Sequence, residues 1–407
     1  MFITLRDSTH INIKLKVMTF VGFYLPGYKA GGPLRTIANM VDHLGDDFEF
    51  WIVTRDRDLG DTKAYPDLSL DQWVSFGNAH VFYVSPENQT VDGLANVIKN
   101  TPHDVLYLNS FFDSVFTLKP LFARFLGKFP RRPVVLAPRG EFSAGALKIK
   151  GMKKTVYIFG ARLLGLYKNI MWQASSEHEA QDIKRSFSVV EKDISVAWDL
   201  PAKPDLQLPE KKNLPPASDS QAMLRLIFLS RISPKKNLDY ALRILSQTMI
   251  DVEFDIYGPL EDATYWQRCQ TLIRELPPNV KVAYRGSVKP EKVAETFSCY
   301  DLFLFPTHGE NYGHVIAESL SVGTPVLLSD QTPWRDLSDD GLGWDLALVN
   351  MAGFVEIINL VSLKNKKLTQ KQKTEIRRHL QNKVLGRLTD PAVLEANRQL
   401  FYGCLPK

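Results

Sequence analysis

The feature that most constrains this chain is a recurrence of short, nearly continuous apolar runs, each followed by a stretch of helical periodicity. In the first half KLKVMTFVGFY, FEFWIVT, HVFYVS, DVLYLN, PVVLAPRG and NIMWQAS read as strands. Between them PLRTIANMVDHL, VDGLANVIKN and EHEAQDIKRSF space their apolar residues as helices do. A strand with one wet face alternates apolar and polar residues. Runs that are apolar throughout need cover on both faces, which a parallel sheet flanked by helices provides. The expectation is a doubly wound α/β domain.

The pattern then stops and restarts. Residues 202–222, AKPDLQLPEKKNLPPASDSQA, are rich in Pro, Lys and small polar residues and read as a linker. Beyond it LRLIFLSR, VEFDIYG, VKVAYRG, DLFLFPT and PVLLSD read as strands, separated by the helical stretches LDYALRILSQ, ATYWQRCQTLIREL and PEKVAETFSCY. A chain of 407 residues is also too long for one ordinary core. The predicted organisation is a Rossmann-like domain over 1–203, a linker over 204–222, a second Rossmann-like domain over 223–388 and a terminal helix within 389–407. That helix, with Asp390 as N-cap and Pro391 in its first turn, is free to pack back on the first domain.

Composition narrows the function classes. Hydrophobic residues make up 44% of the chain and charged residues 23%, which excludes disorder. Cys269, Cys299 and Cys404 form no CxxC pair, so neither a zinc site nor a disulfide framework is expected, and a reducing compartment fits. No uncharged apolar stretch is long enough to span a bilayer, and no leader-like segment opens the sequence, so a cytoplasmic location is expected. The net charge of +5 is unevenly spread: Lys119 to Lys168 holds twelve Lys and Arg against one acid, Glu141. Within it, 144–168 mixes Lys148, Lys150, Lys153, Lys154, Arg162 and Lys168 with Val156, Phe159, Leu163 and Leu164. Such a basic amphipathic helix can lie on an anionic membrane face, or else bury its Leu stripe and solvate its cations. Neither stacking aromatics nor a known module suggests a nucleic-acid partner.

In open α/β sheets ligands bind beyond the carboxyl ends of the strands, where helix N-termini offer unpaired N–H groups. DLFLFP ends at Pro306, the turn THGENYG follows, and HVIAESLSV starts a helix. Amides around Asn311, Tyr312 and Gly313 can there grip a phosphate, with Gly309 and Gly313 allowing close approach. Glu310 and Glu318 can point into the same cleft. Carboxylates repel phosphate, so their expected task is to accept hydrogen bonds from the hydroxyls of a sugar and a ribose.

The stretch GENYGHVIAESLSVGTPV closely resembles the E-x7-E signature of family 4 glycosyltransferases of the group 1 type, retaining enzymes of the GT-B fold, in which two Rossmann-like domains face one another across a cleft. The resemblance implies that Glu310 contacts the donor sugar and Glu318 the nucleotide ribose. FLSRISPKKNLDYAL is similar to the family's Arg-x4-Lys, which implies that Arg231 and Lys236 bind the donor pyrophosphate. The physics agrees, because a departing diphosphate carries charge that must be stabilised away from water. PGYKAGGPLRTIANMVDHL looks like the family's glycine-rich loop, which implies that Gly31 and Gly32 pass close to the sugar-phosphate while Arg35 opens the helix. It is not GxGxxG, which argues against a nicotinamide cofactor.

VVLAPRGEFSAGAL resembles a PRG variant of polysaccharide-assembling members. Arg139 stands where many relatives carry a His that touches donor or acceptor, and either hydrogen-bonds a sugar or acceptor phosphate or sits in a structural ion pair. Asn109 and Ser110 end a predicted strand and are candidates for the acceptor side. His308 and His314 flank the signature, as donor contacts or as helix-surface residues. Asp56-x-Asp58 in TRDRD matches the metal-binding DxD of the other main glycosyltransferase fold over three residues only, and no metal or other cofactor is expected.

The function expected from the resemblance is retaining transfer of a sugar from a nucleotide-sugar donor to a hydroxyl of a glycan or lipid-linked glycan. Arg231, Lys236 and Glu310 are the expected catalytic groups, acting in polysaccharide or lipopolysaccharide assembly at the inner membrane face. A GT-B nucleotide-sugar epimerase would alter the donor without an acceptor. A noncatalytic sugar-nucleotide-binding partner would bind donor without turnover.

Overall fold

The computed structural model describes residues 14–143, 147, 151–187, 189–203 and 223–405. The predicted linker at 204–222, Lys148, Lys150 and the Lys153 side chain lie outside the described residues.

Two α/β domains form, as the apolar runs predict. The first sheet has the order β3-β4-β2-β1-β5-β6-β7-β8. Its strands are β1 (Leu15–Phe20), β2 (Phe48–Arg55), β3 (Trp73–Phe76), β4 (Ala79–Val84), β5 (Val105–Asn109), β6 (Val134–Ala137), β7 (Met171–Ala174) and β8 (Ile194–Val196). All neighbours run parallel except β3, which pairs antiparallel with β4 at the edge. Central β5 is buried along its whole length, as two-sided helical cover requires. The second sheet is parallel throughout, in the order β11-β10-β9-β12-β13-β14. It comprises β9 (Leu224–Leu229), β10 (Val252–Tyr257), β11 (Val280–Gly286), β12 (Leu302–Phe305), β13 (Val326–Ser329) and β14 (Gly343–Leu346).

The sequence reading omits β3, β8 and β14, which are edge strands of three or four residues. It also omits the helices Met351–Lys367 and Gln370–Leu388. The second of these is polar around most of its surface, yet Leu380, Val384 and Leu388 recur every fourth residue and join the second core. Its start is fixed by a capping box between Thr369 and Gln372.

The helix Pro391–Tyr402 begins as expected, with the Asp390 carboxylate accepting from the Ala392 amide. It packs on the first sheet: the Phe401 ring lies 5.3 Å from those of Phe48 and Tyr107. Asn397 donates to the Trp198 carbonyl and Arg398 to Asp47, each at 2.8 Å.

Candidate active site

The carboxyl ends of both sheets open on one cleft, and the candidate residues are placed there by the turns that leave those ends. After β1 the chain runs through 21–31 into the helix Gly32–Leu44. Gly31 has φ 76° and ψ −129°, a conformation essentially closed to side-chain-bearing residues. A Cβ built there would lie 3.7 Å from Arg231 Nε, so the glycine loop of one domain comes close to the expected phosphate cation of the other. Gly32 faces open space within the same lining.

After β9 come Ser230 and Arg231, then the tight turn Pro234–Lys236, which buries Lys236. Lys236 Nζ pairs with Glu310. Burial pushes the Glu310 carboxyl up, but Lys236 and Lys235 more than offset this and hold it below the usual carboxylate range. Arg231 Nη1 donates to Glu261 at 2.9 Å on the cleft rim. Glu318 faces Arg35 across the cleft at 3.6 Å, and burial raises its carboxyl while Arg35 opposes that rise. Arg231, Lys236, Glu310 and Glu318 thus share one lining with Gly31, Gly32, Asn311, Tyr312 and Gly313.

The helix following β12 starts at His314, where the sequence reading places it. It spans His314–Ser321, with Gly313 in the left-handed region at φ 80° as its N-cap. The first-turn amides of His314 and Val315 have no partner in the helix and lie in the same lining as Asn311, Tyr312 and Gly313. The Asn311 side chain meets Ser175 Oγ of the first domain at 2.8 Å, and the Tyr312 carbonyl accepts from Trp334 Nε1 at 2.7 Å.

The acceptor-side candidates divide. Arg139 borders the cleft, yet its guanidinium donates to Asp199 at 2.5 Å, to Tyr107 at 2.5 Å and to Asn109 at 2.7 and 3.1 Å. The structural ion pair of the two readings is thus present, at a residue that also lines the cleft. Asn109 is buried beneath Arg139 and also donates to the Phe20 carbonyl, so it does not line the acceptor side. Ser110 donates to Glu141. His308 is exposed outside the cleft, whereas His314 is buried in its lining, with Nε2 2.9 Å from Thr36 Oγ1. Burial lowers the His314 pKa to about 4 and outweighs the attraction of Asp199, so the ring is neutral at neutral pH. Thr36 Oγ1 donates in turn to Asp199 at 2.9 Å, so Thr36 accepts from His314. Thr36 and Asp199 carried no signal in the sequence, because their role arises from contacts between distant segments.

Chemically the cleft combines cations, among them Arg231 and Lys236, and helix N-terminal amides that suit an anion with carboxylates, among them Glu310 and Glu318, that can accept from hydroxyls. The architecture is the GT-B fold. Sucrose-phosphate synthase from Thermosynechococcus elongatus superposes with a TM-score of 0.70 over 96% of this chain and 99% of its own, at 14% identity. HepE from Anabaena, solved in complex with UDP-glucose, gives 0.64 over 96% and 99%, at 17% identity. In sequence, the family model described as glycosyl transferases, group 1 matches residues 216–379, which hold Arg231, Lys236, Glu310 and Glu318. An uncharacterized 41.2 kDa protein in the cps region of Klebsiella pneumoniae is 23% identical over 254 residues. That alignment takes in 61% of this chain and 66% of the relative, just under two thirds of the relative's length.

Proposed function

We propose that this chain is a retaining glycosyltransferase of family 4 that moves a sugar from a nucleotide-sugar to an acceptor hydroxyl in the assembly of a cell-surface polysaccharide or lipopolysaccharide. The observation that carries the reading is the convergence of Arg231, Lys236, Glu310 and Glu318 around the free amides of His314 and Val315. In this reading Arg231, Lys236 and those amides hold the diphosphate, Glu310 the donor sugar and Glu318 the ribose. Lys236 and His314 are buried and the Glu310 side chain is 11% exposed, which strengthens each interaction and limits the access of water to the anomeric carbon. The lining carboxylates Glu310, Glu318 and Asp199 are each engaged by a cation, and the family resemblance favours a route without a covalent nucleophile. Retention then proceeds by same-face substitution. The bond from the anomeric carbon to the diphosphate oxygen breaks as the acceptor oxygen bonds on that face, and the acceptor's proton passes to the leaving diphosphate. No metal enters this scheme, since Arg231 and Lys236 offset the leaving charge.

The gene-cluster context of the Klebsiella relative supports a polysaccharide acceptor. The helix Gly151–Leu164 supports a membrane-bound one: it turns Val156, Phe159 and Leu163 outward, at 68%, 69% and 79% exposure, within the basic segment.

Thermal-shift binding across a nucleotide-sugar panel without added metal tests the donor assignment. One nucleotide-sugar should stabilise the protein, and Arg231→Ala and Glu318→Ala should each weaken that binding by about tenfold or more. Failure of every donor to shift the protein would sink the reading. For the membrane, the protein should sediment with phosphatidylglycerol vesicles and remain free of phosphatidylcholine vesicles, and Phe159→Glu with Leu163→Glu should abolish the binding.

A further inference from the structure

The second aspartate of TRDRD is not absorbed by the donor site, and its surroundings assign it a task. Asp58 is 3% exposed, and its two oxygens accept three backbone amides. They are those of Leu59 at 2.7 Å, Tyr28 at 2.8 Å and Lys29 at 3.1 Å. The Leu59 contact is local, but the other two belong to the loop between β1 and the helix Gly32–Leu44, about thirty residues earlier in the chain. Tyr28, Lys29, Gly31 and Gly32 all line the cleft.

The segment after β2 holds that loop at further points. Tyr65 Oη donates to the Tyr24 carbonyl at 3.5 Å and Lys29 Nζ to Asp61 at 2.6 Å, while the Tyr65 amide folds the segment on itself by donating to the Asp56 carbonyl at 2.8 Å. A Cβ on Gly27 would lie 2.2 Å from Tyr65 Oη and 3.0 Å from Asp58 Cγ, so the loop fits this segment too closely for any side chain there. Asp56 is occupied separately, accepting from Arg57 at 2.8 and 3.0 Å.

We infer that Asp58 is a positioning residue for the donor cleft: its carboxylate clamps the Tyr28 and Lys29 amides and so fixes the loop that carries Gly31 to Arg231. A carboxylate suits the task because it accepts from several donors at once and has no proton to turn toward them. An amide at this position would direct an NH2 group at backbone N–H groups that need an acceptor. The functional part of this inference rests on the transferase reading; the clamp itself does not.

The test compares full-length wild type, Asp58→Asn and Asp58→Ala by amide hydrogen exchange across residues 26–32, and by KM and kcat with UDP-glucose or whichever panel member the wild type turns over. Exchange at Tyr28 and Lys29 should rise about tenfold or more in both variants while the strands of the first sheet stay protected. Donor KM should rise about tenfold with kcat changed far less, because the loop shapes the cleft without touching the bond that breaks. Exchange at 26–32 equal to wild type in both variants overturns the clamp. Exchange raised throughout the first domain also overturns it, since Asp58 would then be holding the fold and not the loop. A kcat loss with unchanged KM overturns the positioning role. If no donor is turned over, the transferase reading fails, and the exchange result still decides the clamp.

Discussion

At the scale of single residues, His314 ties the stability of the cleft to pH. A free imidazole titrates near 6.5, whereas burial between the domains holds this one to about 4. The unfolded chain therefore takes up the proton first. The stability associated with neutral His314 is full above pH 6.5 and is lost as pH falls toward 4. The gap corresponds to roughly 3 kcal/mol at most. Glu141, Glu179 and Glu318, whose burial raises their pKa values, act with the opposite sign, so comparison with a variant is needed to isolate the histidine. Thermal denaturation midpoints should fall between pH 6.5 and 4 in wild type and fall less steeply in His314→Asn; parallel curves would remove His314 from this account. The same residue shows where sequence reasoning reaches its limit. That Arg231, Lys236, Glu310 and Glu318 share one lining was legible through the resemblance of their motifs to a known family, whereas the bare spacings favoured solvated side chains. Arg139 was ambiguous because its partners Asp199 and Tyr107 lie 60 and 32 residues away. Nothing local distinguishes an arginine aimed at a ligand from one aimed at a buried aspartate.

At the scale of elements, the turn from β12 into the helix His314–Ser321 depends on one left-handed residue. A Cβ at Gly313 would meet Ile316 Cδ1 at 2.7 Å, and a non-glycine residue there costs about 1–2 kcal/mol in backbone conformation alone. Gly313→Ala should lower stability in denaturant titrations by roughly that amount or more, and should weaken donor binding by displacing the His314 and Val315 amides. Core strands were legible for a related reason: β1, β5, β9 and β12 are apolar runs that only two-sided cover explains. The edge strands were not, since Trp73–Phe76 and Ile194–Val196 are only partly buried and need no continuous apolar run. The helix Gln370–Leu388 escaped notice because its contribution to the core is a stripe of only a few residues on a polar background.

At the scale of the whole molecule, the two sheets are tied together through contacts that all border the cleft: Arg35 with Glu318, Thr36 with His314, and Ser175 with Asn311. The chain also crosses from the second domain to the first through the helix Pro391–Tyr402, whose Phe401 is fully buried among Phe48, Phe50 and Tyr107. Phe401→Ala should cost about 3–5 kcal/mol in the unfolding of the first domain, measurable by denaturation followed through hydrogen exchange of β1 and β2. That helix also bears on how the protein is made. Strands β1 to β8 leave the ribosome long before Phe401 does, so the first domain's hydrophobic surface around Phe48 and Phe50 must wait, partly uncovered, while the whole of the second domain is synthesised. The nascent chain therefore displays an apolar site on its first domain for about half of its translation, and chaperones that bind such sites have their longest opportunity there.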